Sequence, residues 1–278
     1  MAEPLVKPGS TIKLKERNPA DSGGLKKEDT ASIVADYQRR MCELQGLLYA
    51  ASDQALLIIL QGIDTSGKDG TTNHVLAAVN VTGCRIVGFK QPSTEELAHD
   101  YLWRIHQQLP RRGELVVFNR SHYESVLVER VRKLVPEERW RARYAEINNF
   151  EQMLTNEGTI ILKFFLHISK AEQERRLRER MTDPAKRWKV APSDWAERAY
   201  WDTYQSAFEE MVNQTSSPHA PWYVIPADKK WYRNYLVGKL VVSQLEQYRP
   251  RWQAALDRRG NANLKALADA GVKLADRC

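Results

Sequence analysis

The chain has 278 residues, 42% hydrophobic and 28% charged, enough apolar material for one large covered-sheet domain and too much for wholesale disorder. Lys and Arg number 42 against 35 Asp and Glu, a net charge of +7, so an anionic partner is expected: nucleotide, phosphate chain, nucleic acid or membrane surface. No apolar run approaches the roughly 18–20 residues of a membrane span, the first thirty residues lack the apolar stretch of a signal peptide and carry charges throughout, and Cys42, Cys84 and Cys278 are too scattered for a disulfide framework, so a cytoplasmic location is expected.

Residues 1–29, with Pro4, Pro8, Pro19 and the Gly23–Gly24 pair, read as an extended or partly ordered arm. From Thr30 to about Ala51, Ile33, Val34, Tyr37, Met41, Leu44, Leu47 and Leu48 recur at helical spacing. The run ALLIIL at 55–60 has the unbroken apolarity of a strand buried on both faces. The alternation then repeats: helix 68–81, strand 85–89, helix 94–108, strand 115–118, helices 121–133 and 136–155, strand 159–168. A charged helix at 170–180 and an irregular stretch through Pro184 and Pro192 follow. Helix 194–212, strand 222–225 and helix 231–248 complete the pattern. Strands separated by helices predict a five-stranded parallel sheet with right-handed crossovers, one domain over residues 30–248. Residues 249–278, punctuated by Pro250, Gly260 and Gly271, read as a tail with no assigned element.

The first strand runs into Gly62-Ile63-Asp64-Thr65-Ser66-Gly67-Lys68-Asp69-Gly70-Thr71. Two glycines with four residues between them, then lysine, between a buried strand and a helix, is the spacing of a phosphate-cradling loop. Its backbone N–H groups and the helix N-terminus face an anion, and Lys68 adds a point charge. The residue after the lysine is usually a metal-binding hydroxyl; here it is Asp69. Asp69 either ligates metal or favours the first helical turn, and Thr71 or Thr72 could supply the hydroxyl. Asp64 among anions needs a bridging cation, which favours a Mg²⁺ role.

The third strand ends in Asn119-Arg120-Ser121-His122-Tyr123-Glu124, where a phosphate-loop enzyme places a second metal-positioning group. Asn119 can hold a metal-bound water but adds no charge. Arg120 either faces the pocket or pairs with Glu124 four residues on. From Arg175 to Lys189 there are seven basic residues (Arg175, Arg176, Arg178, Arg180, Lys186, Arg187, Lys189) and two acidic ones, Glu179 and Asp183. Broken by proline, this stretch reads as a lid closing over phosphates, with Arg175 and Arg178 on a solvated face. The six histidines lack metal-ligand spacing and read as structural or surface residues.

The strings LQGIDTSGKDGT, FKQPSTEELAHDYLWRIH, VVFNRSHYESVLVERV, RMTDPAKRWKVAPSDW and TSSPHAPWYVIPADKKWYRN, in this order, resemble the polyphosphate kinase 2 family over residues 6–248. GKDG with FNRSHYE resembles its subgroup that phosphorylates both nucleoside monophosphates and diphosphates. Val81 and Gln91 depart from the pattern without touching a charged position. The resemblance implies a thymidylate-kinase-like P-loop α/β fold with a helical lid at about 171–200, assembled as homodimers or homotetramers. It implies Mg²⁺-dependent (or Mn²⁺-dependent) transfer of the terminal phosphoryl of inorganic polyphosphate to AMP, ADP or another nucleotide, with no nucleic-acid or membrane partner. The family's motifs fall on Asp64, Gly67 and Lys68, on Asn119, Arg120 and Glu124, and on Arg176, Arg180, Pro184, Lys186, Trp188 and Lys189. Asp64, Lys68, Arg120 and Arg180 are the expected catalytic residues; Asp64, Asn119 and Glu124 are the expected metal residues. Gly62, Thr65, Ser66, Gly67, Lys68, Asp69, Gly70, Thr71, Lys90, Arg120, Arg176, Lys186 and Lys189 are expected to bind nucleotide or polyphosphate. The residues alone do not choose the donor: an ATP-dependent nucleotide or nucleoside kinase would share loop and lid. A nucleic-acid-binding phosphate-loop protein would share the charge, although the basic residues cluster at loop and lid instead of along an aromatic-studded stripe.

Overall fold

Strand β1 (Ala55–Gln61) is buried along its whole length because a strand flanks it on each side. Leu57 stands opposite Val116 of β3 (Leu115–Asn119) and opposite Ile161 of β4 (Thr159–His167). β2 (Cys84–Gly88) pairs with β3 and β5 (Trp222–Pro226) with β4, all parallel, in the order β2-β3-β1-β4-β5. The chain therefore builds outward from β1 to one side and afterwards to the other. The computed structural model describes residues 3–272; Met1, Ala2 and residues 273–278, with Cys278 and the end of the expected tail, lie outside the described residues.

Helices α1 (Lys27–Ala51), α2 (Lys68–Val75) and α10 (Lys230–Glu246) pack together as one layer, and α6 (Glu137–Asn156) with α9 (Trp201–Thr215) as another. The lid carries α7 (Lys170–Thr182) and the short α8 (Pro192–Glu197). Three expected helices break up, and the one over 194–212 becomes α8, a 3₁₀ turn at Arg198–Tyr200 and α9. Residues 94–108 give α3 (Thr94–Leu97) and α4 (Trp103–His106), separated where the Asp100 carboxylate accepts from Leu102 N–H at 2.9 Å and offers the backbone a turn. Residues 121–133 give a 3₁₀ turn at His122–Ser125 and α5 (Val128–Val131), because the Ser121 hydroxyl takes the Tyr123 N–H at 3.2 Å. The helix expected to reach residue 81 ends at Val75.

Residues 4–6 and 249–269 carry more order than their composition suggested. Val6 N–H donates to Trp222 O and Val224 N–H to Pro4 O, so the arm lies antiparallel on β5 and covers a free sheet edge. Beyond residue 248, where no element was expected, α11 (Arg249–Asp269) docks on α1. Trp252 is fully buried with its indole N–H on Gln54, and Arg259 donates to the Ala50 and Ala51 carbonyls that end α1. Pro250 is tolerated because it sits in the first helical turn, and Gly260 lies in open space, where glycine costs only about 1 kcal/mol. Among the described residues no helix is long and apolar enough to cross a membrane.

Candidate active site

Strand order places the site. In an open parallel sheet, the loops leaving neighbouring strands in opposite directions part at the point where the order reverses, and a crevice opens at the carboxyl ends. Here that point is the end of β1, and a cleft of about 1490 Å³ opens there. Its two walls differ. The loops after β2 and β3 contribute Phe89, Lys90, Pro92, Tyr101, Arg104 and Arg120, whereas the lid and the start of α10 contribute Arg180, Lys186, Lys189, Lys230 and Arg233. One wall mixes aromatic rings with charge; the other is almost wholly cationic.

The phosphate loop is built by special backbone at three positions. Gly62 has φ +153°, and a Cβ there would meet Ser66 Oγ at 2.7 Å and Leu166 O at 2.9 Å. Thr65 takes φ +67° and Gly67 +102° before α2 starts. Lys68 is buried; its Nζ donates to Gly62 O at 2.7 Å and Ile63 O at 3.3 Å. Burial first, then the nearby Arg120, pull its amine down to about 8, against the opposing pull of Asp64, Glu124 and Asp69. The Ser66 side chain is fully buried and Thr71 returns its hydroxyl to Gly67 O, so these two shape the loop from behind. Thr72 likewise spends its hydroxyl on Lys68 O. Asp64, Thr65, Gly67, Lys68, Asp69 and Gly70 line the cleft itself.

Arg120 follows β3 with φ +66°, its N–H on Leu60 O, which sets its guanidinium beside the loop after β1. It pairs with Asp64 and, at 3.4 Å, with Glu124, so it faces the pocket and also makes the expected i,i+4 contact. Burial would raise the Asp64 carboxyl, but Arg120, Lys68 and Arg180 together hold it below the usual carboxylate range. The Asn119 amide donates to Asp69 at 2.6 Å, and Lys189 of the lid reaches the same carboxylate at 3.4 Å. The loop bearing Arg120 is anchored from below: Lys163 Nζ, inside β4 and fully buried, donates to Tyr123 Oη, Glu151 and Thr215 O at 2.6–2.8 Å. His122 rests on the same Glu151 at 3.2 Å.

The lid residues fall into two groups. Arg175 and Arg178 are exposed and pair with Glu172 and Glu174, the solvated face foreseen for them. Arg176 is buried, and all five of its N–H donors are occupied: Glu172, Thr65 O, Ser66 O, Ala227 O and Asp228 O. It braces the phosphate loop against the loop after β5. Arg180 pairs with Asp194 at 2.8 Å, and Lys186 with Glu179 and Asp183, so these cations are held in place by neighbours an incoming anion would have to displace or share. Lys90 lines the opposite wall, its carbonyl accepting from Arg104. Sequence reasoning passed over Arg233 and Lys230; their motif was visible in KKWYRN, but nothing local says that it meets the phosphate loop.

A divalent cation is tested by the donor set. Among the described residues no three His, Cys, Asp or Glu side chains gather as a metal cage. Asp64 and Glu124 converge on Arg120, and Asp69 stands across the cleft mouth with Asn119. One or two carboxylates suffice for a small hard cation that keeps waters and phosphate oxygens as its other ligands, so the residues fit Mg²⁺ bound together with substrate.

The family model for polyphosphate kinase 2 matches residues 24–253. A protein of Meiothermus ruber named AMP/ADP-polyphosphate phosphotransferase is 51% identical over 87% of this chain and 91% of its own length. An ADP-polyphosphate phosphotransferase of Rhodopseudomonas palustris is 43% identical over 79% of this chain and 80% of its own. The crystal structure of polyphosphate kinase 2 from Arthrobacter aurescens TC1 superposes with a TM-score of 0.83 at 40% identity, covering 87% of this chain and 91% of that one.

Proposed function

The chain belongs to the polyphosphate kinase 2 family, and from that premise we propose that it transfers the terminal phosphoryl group of inorganic polyphosphate to AMP and ADP. The observation that carries this reading is the division of the cleft. A cationic wall without aromatic rings, Arg180, Lys186, Lys189, Lys230 and Arg233, suits a linear inorganic polyanion. The wall with Phe89, Tyr101 and Pro92 suits a nucleoside with its phosphates toward the loop. Lys68 and the loop amides hold the phosphates adjoining the transferred group. Arg120 and Arg180 neutralise the charge on its equatorial oxygens. Asp64, with Asn119 and Glu124 behind it, would hold Mg²⁺, which supplies charge neutralisation between donor and acceptor. No general base is needed, because the attacking group is already a phosphate oxygen anion. Both the bond broken and the bond made are phosphoanhydrides, so the transfer runs either way with concentrations.

The deciding assay is ATP formation from ADP and polyphosphate with Mg²⁺ and no other donor. ATP should form, and the apparent affinity for polyphosphate should fall more steeply with salt than that for ADP, because a long polyanion releases more condensed counterions. No ATP without a nucleoside triphosphate donor would return the chain to an ATP-dependent kinase. Equal salt slopes would place the donor chain away from the cationic wall.

Lys68 gives the reaction an alkaline limit. The charged amine binds phosphate, and its value of about 8 belongs to the free enzyme, so kcat/KM should decline as pH rises through 8. kcat should hold to higher pH, since bound phosphate restores the charge. The linkage to folding has the opposite sign. The folded value lies below the ordinary 10.5, so the cost of burying the charge is present below about 8 and is relieved toward 10.5. A kcat/KM profile flat to pH 9.5 would contradict this assignment.

A further inference from the structure

Arg233, in the first turn of α10, is 3% exposed and lies across the outer side of the phosphate loop. A Cβ on Gly67 would come within 1.8 Å of its Nη1, and one on Gly70 within 3.2 Å of its Nη2. The two glycines that frame Lys68-Asp69 are thus the floor on which this guanidinium rests. This accounts for Gly70, which a phosphate loop as such does not require.

The charge has poor company. Its hydrogen bonds go to neutral acceptors, Asn234 Oδ1 at 3.1 and 2.8 Å and Ser66 O at 3.4 Å, and among the described residues no carboxylate forms an ion pair with it. Ser66 O also accepts from Arg176 Nη1 at 3.1 Å, so two guanidiniums crowd one carbonyl, and Glu172 is paired with Arg176. The N-terminus of α2 beside them is itself partly positive. Burial, and after it Arg176, pull the Arg233 guanidinium down to about 10. Leaving a buried charge uncompensated is expensive. An arrangement that accumulates positive charge at one edge of a cleft is completed by an anion.

We propose that Arg233 is a polyphosphate-binding residue, completing the phosphate loop's anion site from the β5 side with a phosphate of the inorganic chain as its ligand. The inference rests on the function proposed above and names a residue and a ligand for that site. The inorganic chain is favoured over the nucleotide because Arg233 adjoins Lys230 and the lid cations, across the cleft from Phe89 and Tyr101. Lys230 carries its own share of the crowding: burial first lowers its amine, with Glu179 at 3.9 Å opposing, and Arg176 and Lys186 then add to the lowering.

The test compares wild type with Arg233→Gln and Arg233→Lys in melting temperature and calorimetric titration, using tripolyphosphate and ADP as separate probes. Without ligand, Arg233→Gln should melt at or above the wild-type temperature, since a like-charge contact is gone. Its affinity for tripolyphosphate should fall about tenfold or more, the loss expected for a hydrogen bond to a charged group, while ADP affinity changes far less. Arg233→Lys should restore part of the tripolyphosphate affinity. A lower melting temperature with unchanged tripolyphosphate affinity in both variants would overturn the proposal and make Arg233 a brace for Ser66. An equal loss for ADP and tripolyphosphate would overturn the choice of ligand. If the wild type binds ADP but not tripolyphosphate, the polyphosphate reading itself fails and this assignment falls with it.

Discussion

Replacing Lys68 with Ala should lower the rate of phosphoryl transfer by about 10²–10³ while the protein still folds. Lys68 is the cation the loop keeps closest to its own backbone, and it is buried with its amine on Gly62 O and Ile63 O. In the free enzyme those carbonyls stand in for the phosphate oxygens the amine is expected to meet. The substitution also removes a charge that burial disfavours, so the two lost hydrogen bonds, about 1 kcal/mol each, are partly offset in stability. The expected signature is a large fall in kcat with a small shift in melting temperature, read by coupled ATP detection and circular dichroism. Near-wild-type turnover in a folded Lys68→Ala protein would mean that the loop does not hold the reacting phosphates.

Asp64→Asn should have an effect of similar size by a different route. The carboxylate pairs with Arg120 and stays ionised under the combined influence of Arg120, Lys68 and Arg180. An amide keeps the shape and removes the charge, so Arg120 loses one of its two anionic partners and a divalent cation loses its principal protein ligand. Turnover is expected to drop by about 10²–10³, and the Mg²⁺ concentration for half-maximal rate should rise. A fall in turnover with an unmoved Mg²⁺ titration would assign Asp64 to orienting Arg120 and take it out of the metal site. Unchanged turnover would remove it from the mechanism.

Arg176 and Arg233 show how charge alone misleads when it is read along the chain. Arg176 looked like a phosphate ligand because it sits in a basic cluster, yet its donors are spent on four backbone carbonyls and Glu172. Arg233 drew no reading along the chain, yet it rests on the phosphate loop, and among the described residues no carboxylate forms an ion pair with it. A guanidinium has five donors, and what they meet depends on partners that the surrounding residues do not announce.

By itself the sequence determined the five strands and the loop. The run ALLIIL is too apolar for anything but a strand covered on both faces, and glycine spacing followed by lysine at its end leaves a backbone that cradles an anion. These features are local, carried by periodicity and by which residues tolerate positive φ. The tertiary structure alone decided the strand order, the separation of a cationic wall from an aromatic one, and the docking of α11 through Trp252. It also brought Arg233 to Ser66 across 167 residues and set Lys163 under the Arg120 loop. The physical reason is the same in each case: contacts between distant segments are chosen by how crossovers stack layers on a sheet. A side chain's partners across such a contact leave no periodic trace in the chain that carries it.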